Sequence, residues 1–96
     1  MLEKISGEVD LLERHLQVMN AVSAHGPIGI MKLTEELHQS QHRIRYSLRV
    51  LEQMGYIQAT TSGAVATPKA LSMLKELDAN LDELIAKLQR LRMNKQ

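Results

Sequence analysis

The sequence predicts a mainly α fold with a small β-hairpin and one long C-terminal helix. Three observations carry this expectation. Apolar residues recur at three- and four-residue steps in the stretches 2–19, 44–51 and 74–91, the spacing of helices with one buried face. Between 56 and 67 that period gives way to two short runs separated by Thr61-Ser62-Gly63, the pattern of two strands and a turn. Gly26-Pro27, Gly55 and Thr67-Pro68 then punctuate the chain where these periods stop and start.

Ninety-six residues make one domain with a core of modest size. That core must be aliphatic, because Phe and Trp are absent and Tyr46 and Tyr56 are the only aromatic residues. The absence of Cys excludes a disulfide framework and thiolate zinc sites, and agrees with a reducing compartment. Glu3 and Lys4 interrupt any N-terminal apolar run, and no stretch approaches the ~20 apolar residues of a membrane span. A soluble, cytoplasmic protein is the expectation.

Net charge is only +1, which argues against coating nucleic acid by charge alone, but its distribution is uneven. Residues 1–36 carry three basic and six acidic groups, and residues 40–50 carry three arginines, one histidine and no acid. From Lys87 onward there are four basic groups and no acid.

Taken in order, Leu2, Ile5, Val9, Leu12, Leu16 and Met19 form a heptad-like stripe. Gly7 weakens the first turns, so the firm helix is expected over about 8–25, with Ser6 as its candidate cap and residues 1–5 as a helical extension or a docked arm. Pro27–Gly29 reads as a connector able to lend one or two residues to a small sheet. A short helix over about 30–38 follows, with Ile30, Leu33 and Leu37 on one face. Another begins almost at once, running from Gln41 to Met54. Its core stripe is Ile44, Leu48 and Leu51, Ser40 is its N-cap, and Gly55 is its left-handed terminator. Two helices joined by so short a turn, the second with a basic face, form a helix-turn-helix. Strands over 56–60 and 64–67 make the hairpin. Thr67 as N-cap and Pro68 at the first helical position then open a helix running to about Met93.

This order of elements, with the L-x-x-L-x-x-M-G-Y-I run at Leu48–Ile57 and the V-A-T-P-K segment at Val65–Lys69, resembles the winged helix-turn-helix domain of microbial transcription regulators. The resemblance covers roughly residues 8 to 75. With the terminal helix added, the chain is also similar to small archaeal winged-helix DNA-binding proteins that dimerise through a coiled coil. The resemblance implies that the helix from Gln41 to Met54 enters the major groove of double-stranded DNA. One departure is that residues 56–67 contain no Lys or Arg, which concentrates the expected contacts on that helix.

Arginine presents a planar fork that matches guanine O6 and N7. Arg43 and Arg45 are accordingly the candidates for base edges, with Gln41, His42 and Tyr46 beside them. Arg49 and Lys32 suit phosphate, and Ser40 at the helix start completes the candidate DNA-binding set. Tyr46 lies about 200° around the helix from Ile44 and is expected to face outward.

Leu74, Leu77, Leu81, Leu84, Leu88 and Leu91 form an all-leucine heptad seam widened by Leu71 and Ile85. A helix of about 26 residues is ~39 Å long and must overrun so small a core. The expectation is a homodimer joined through this helix, with the N-terminal stripe as a candidate third and fourth strand. In a parallel pair Lys87 would oppose Arg92, which favours an antiparallel one. Lys87, Arg90, Arg92 and Lys95 suit the C-terminal end of the helix dipole.

The predicted organisation is a winged helix-turn-helix unit over 1–67 and a dimerisation helix over 68–96 continuous with it. His38 and His42 straddle a turn, so helical metal-ligand geometry does not apply and no metal is expected. No nucleophile set, phosphate loop or carboxylate pair stands out, so neither a cofactor nor enzyme activity is expected. The leading expectation is a homodimeric DNA-binding transcription regulator. The alternatives are a winged-helix protein-interaction module and a nucleoid-associated DNA-binding protein.

Overall fold

A computed structural model of the chain describes residues 1–93. Lys95, one of the C-terminal cations named above, lies outside the described residues. Helix α1 spans Leu2–His25, α2 Ile30–Leu37 and α3 Gln41–Gln53; strands β1 and β2 span Ile57–Thr60 and Gly63–Ala66, and α4 spans Pro68–Met93. The architecture is mainly helical with an antiparallel hairpin, a winged helix followed by a long C-terminal helix.

The core gathers one or more residues from every element except β2. Val18, Met19, Ala21 and Val22 of α1 meet Ile28, Leu33 of α2, Ile44 and Leu51 of α3, Ile57 of β1 and Ala70 of α4. All are aliphatic, as the composition requires. Among the described residues no buried side-chain polar atom lacks a hydrogen-bond partner.

α1 differs from expectation in two respects. Residues 1–5 take the helical-extension alternative, so the helix starts at Leu2 with Gly7 absorbed within it, and Met1 rather than Ser6 stands in the capping position. Moreover, the heptad-like stripe is not its core face. Of that stripe only Met19 is fully buried and Leu16 partly so, while Leu2, Ile5, Val9 and Leu12 are exposed. At about 100° per residue, Val9, Leu12 and Leu16 centre roughly 130° away from Val18–Val22. The helix thus carries two apolar faces in succession, one for its own core and one pointing elsewhere.

The helix-turn-helix forms with Ser40 and Gly55 punctuating α3 as expected, whereas α2 stops at Leu37, one residue before the expected end. His38 takes the left-handed conformation that ends α2 (φ 52°, ψ 40°). Ser40 Oγ then accepts from the Arg43 amide at 3.2 Å to cap α3, and Gly55 (φ 83°) follows its end.

The hairpin closes with a two-residue turn, Thr60 facing Gly63 and Ile57 facing Ala66. The connector lends one residue to the sheet. Ile28 and Ala64 exchange backbone hydrogen bonds of 3.1 and 2.8 Å, which pins the hairpin to the α1–α2 junction. That close approach requires Gly63, where φ is 128° and an added Cβ would lie 2.6–2.8 Å from the Ile28 backbone.

α4 begins as a clamp on the end of α3. The Thr67 hydroxyl accepts from the Ala70 amide at 3.3 Å and donates to the Gly55 carbonyl at 2.6 Å. Lys69 Nζ donates to the Met54 carbonyl at 2.7 Å and lies 5.1 Å from the Tyr56 ring centroid, supplying a cation where the α3 dipole ends. Beyond its first turns the helix leaves the core. Ala70 is buried and Met73, Leu74, Leu77 and Leu81 are half-buried, whereas Leu84, Ile85, Leu88 and Leu91 are exposed. The resulting molecule measures 56 × 27 × 21 Å with a radius of gyration of 15.4 Å, against about 12.5 Å for a compact chain of this length.

Two stability measurements follow from this packing. Gly63→Ala is expected to destabilise by about 2 kcal/mol or more in urea unfolding, from strain and from collision with the Ile28 backbone. Leu33→Ala, which empties a fully buried site, is expected to lose about 2–5 kcal/mol.

Candidate nucleic-acid interface

The burial of α3 determines what it presents. Ile44, Ser47 and Leu51 are buried and Leu48 half-buried, so His42, Arg45 and Arg49 are left on the outward side, all exposed. Arg45 and Arg49, four residues apart and therefore about 40° apart around the axis, line one groove between α3 and the hairpin. Its walls are Leu48 and Glu52 of α3 with Ile57, Ala59 and Ala64 of the strands. An apolar floor beneath two guanidinium groups offers van der Waals contact together with anion recognition.

The other predicted contact residues do not all converge there. Arg43 sits on the opposite flank, in a polar groove shared with Asp10, Glu13 and Arg14 of α1. Lys32 lines a cleft with His25 and Glu36. Gln41 donates through Nε2 to Met31 Sδ at 3.2 Å, and Ser40 serves as the cap.

Tyr46 is exposed as expected but leans on α1. Its ring centroid lies 6.1 Å from that of His15, and the Arg14 guanidinium carbon is 5.9 Å from it. Below this shelf the Ser47 hydroxyl, fully buried, accepts from Arg14 Nε at 3.0 Å and lies 2.8 Å from His15 Nδ1. Desolvation, with the Arg14 charge beside it, holds the His15 pKa below its ordinary 6.5. Ser47 Oγ thus sits between the Arg14 guanidinium and the His15 ring, within hydrogen-bond distance of both.

Arg14, His15 and Ser47 were absent from the residues singled out by sequence, and Lys69 stood there only as part of the V-A-T-P-K segment. Ser47 alone left a signal, a polar residue three after Ile44 and four before Leu51 on an otherwise apolar stripe.

Among the described residues no three His, Cys, Asp or Glu side chains group as metal ligands. No described helix is long and apolar enough to cross a membrane.

No protein-family model matches the chain. Over 80 residues, 76% of this chain, the sequence is 32% identical to the heat-inducible transcription repressor HrcA of Lactococcus lactis subsp. lactis (strain IL1403). The chain spans 23% of the length of that repressor.

The Ser47 junction gives two expected outcomes. Because the unfolded chain takes up the His15 proton near the ordinary pKa of 6.5 and the folded chain only below it, stability is complete above that pH. It declines as the pH falls from there through the folded pKa. Melting temperature should drop from about pH 7 to about pH 5, and His15→Gln should flatten that part of the profile. Ser47→Ala leaves Arg14 Nε and His15 Nδ1 without their partner and should cost about 1–3 kcal/mol by urea unfolding.

Proposed function

We propose that the chain is a DNA-binding protein, a homodimeric transcription regulator that places α3 of each protomer in the major groove. The observation that carries this reading is the outward side of α3, where His42, Arg45 and Arg49 are exposed on a helix capped at its start and held by the core behind. The likeness to a transcription repressor supports it. In this reading residues 1–67 form the DNA-reading unit, and 68–96 form the dimerisation helix continuous with it.

Dimerisation is argued from exposed apolar surface. Leu84, Ile85, Leu88 and Leu91 are 42–61% exposed and consecutive along one seam. Val9, Leu12 and Leu16 of α1 share a groove with Leu81 of α4, so the two helices present a continuous apolar surface. A second copy covers both stripes with the same residues. Two reading helices so joined call for half-sites about 34 Å apart or a multiple of it. Binding without catalysis is part of this reading.

Sedimentation equilibrium should give a dimer, and Leu88→Glu should shift it to monomer while helical circular dichroism persists. Selection from a random DNA library should return paired half-sites. If two arginines per protomer each neutralise one phosphate, affinity should fall about a hundredfold between ~50 and ~200 mM salt. A monomer that ignores DNA at low salt would instead support a protein-interaction module, the role that a hairpin without Lys or Arg favours.

A further inference from the structure

The three arginines of α3 stand in two different electrostatic settings. At about 100° per residue, Arg43 lies ~160° from Arg45 and ~120° from Arg49, whereas Arg45 and Arg49 are neighbours. The flank bearing Arg43 is walled by α1, whose Asp10 and Glu13 line the same groove. Arg14 in that groove is turned inward by its bond to Ser47 and lies against Tyr46. Tyr46, packed on His15 of α1, also stands between Arg43 and the outward side. On the hairpin flank the groove holds Arg45 and Arg49 against the single acid Glu52.

We infer that DNA meets α3 from the hairpin side, through His42, Arg45 and Arg49. Arg43 does not contact DNA but offsets the charge of Asp10 and Glu13, whose wall closes the α1 flank to the phosphate backbone. This inference rests on the DNA-binding reading. It selects among residues of like charge on one helix and so specifies how the helix is tilted in the groove. Two carboxylates lining the groove that Arg43 also lines repel a phosphate brought to that flank, and their field offsets part of the attraction of the guanidinium. Arg45 and Arg49 have open solvent before them and an apolar floor behind, which suits contact with sugar edges while the guanidinium groups reach phosphate or base.

The test is the salt dependence of binding by the full chain to a selected DNA duplex. Each phosphate contact contributes about 0.9 to the slope of log affinity against log salt. Arg45→Ala and Arg49→Ala should each lower the slope by about that amount per protomer and weaken binding by roughly fivefold or more at fixed salt. Arg43→Ala should leave the slope unchanged. Asp10→Asn with Glu13→Gln should tighten binding severalfold and, by opening that flank, give Arg43→Ala a loss of slope that it lacks in the wild-type background. Melting curves on each variant check that the fold is retained, since all five positions are exposed. A slope loss on Arg43→Ala equal to that on Arg45→Ala would overturn the inference and leave the DNA-binding reading intact. If the wild-type chain binds no duplex, that reading fails first and the inference falls with it.

Discussion

The crossing of α1 over α3 at Ser47 is the contact on which the presentation of α3 depends. A helix with arginines at 43, 45 and 49 has cations on several sides, and only burial decides which side meets solvent. Ile44 and Leu51 supply the apolar drive, of order 1.5–3 kcal/mol for each fully buried side chain. Ser47 adds direction, because a hydroxyl in that position is tolerated only with its hydrogen bonds made. Arg14 and His15 make them. The rotation of α3 about its axis is therefore set by a directional contact as well as by packing, and Tyr46 rests on the same two residues from outside.

A second constraint is length. α1 and α4, at 24 and 26 residues, are about 36 and 39 Å long, far longer than a core built from ten buried aliphatic residues. Each helix is consequently divided. The C-terminal part of α1 and the N-terminal part of α4 serve the core, while their distal parts keep apolar stripes exposed. The change of face along α1 makes its stripe a surface separate from the core, whereas the α4 seam runs on from the core-packed Ala70 and Leu74, and the proposed dimer is the arrangement that removes both from water.

Much of this was legible in the sequence, and the failures have physical causes. Local chemistry was read correctly wherever one residue determines one conformation: Ser40 as cap, Gly55 in the left-handed region, Thr67-Pro68 at the start of α4, and the single residue that the connector lends to the sheet. The start of α1 is ambiguous in the sequence between an extension and an arm, because the weak preference of Gly7 is overridden only by a helix continuing on both sides of it. The α1 stripe was legible as periodic but not as to partner, since periodicity reports that a face is apolar and not what covers it. At the candidate site, exposure of the arginines could be anticipated, but their separation into two flanks could not. That depends on where Asp10 and Glu13 come to lie, about thirty positions from Arg43 along the chain and brought to the same groove only by folding. Arg14, His15 and the role of Lys69 were missed for the same reason, as each residue acts on an element other than its own.

The clamp between α3 and α4 has a consequence for how such a chain can change. Thr67 and Lys69 hold the carbonyls of Gly55 and Met54 just past the end of α3, and Pro68 at the start of α4 is the last proline in the sequence. α4 runs unbroken from the clamp to Leu91. The azimuth of the leucine seam is locked in phase with the arginines of α3, as two marks on one rigid shaft. Lengthening α4 by seven residues would carry the seam outward by about 10 Å and return it nearly to the same azimuth, whereas a single insertion would turn it by about 100°. Variation in this helix is thus quantised, free in whole heptads and confined between them.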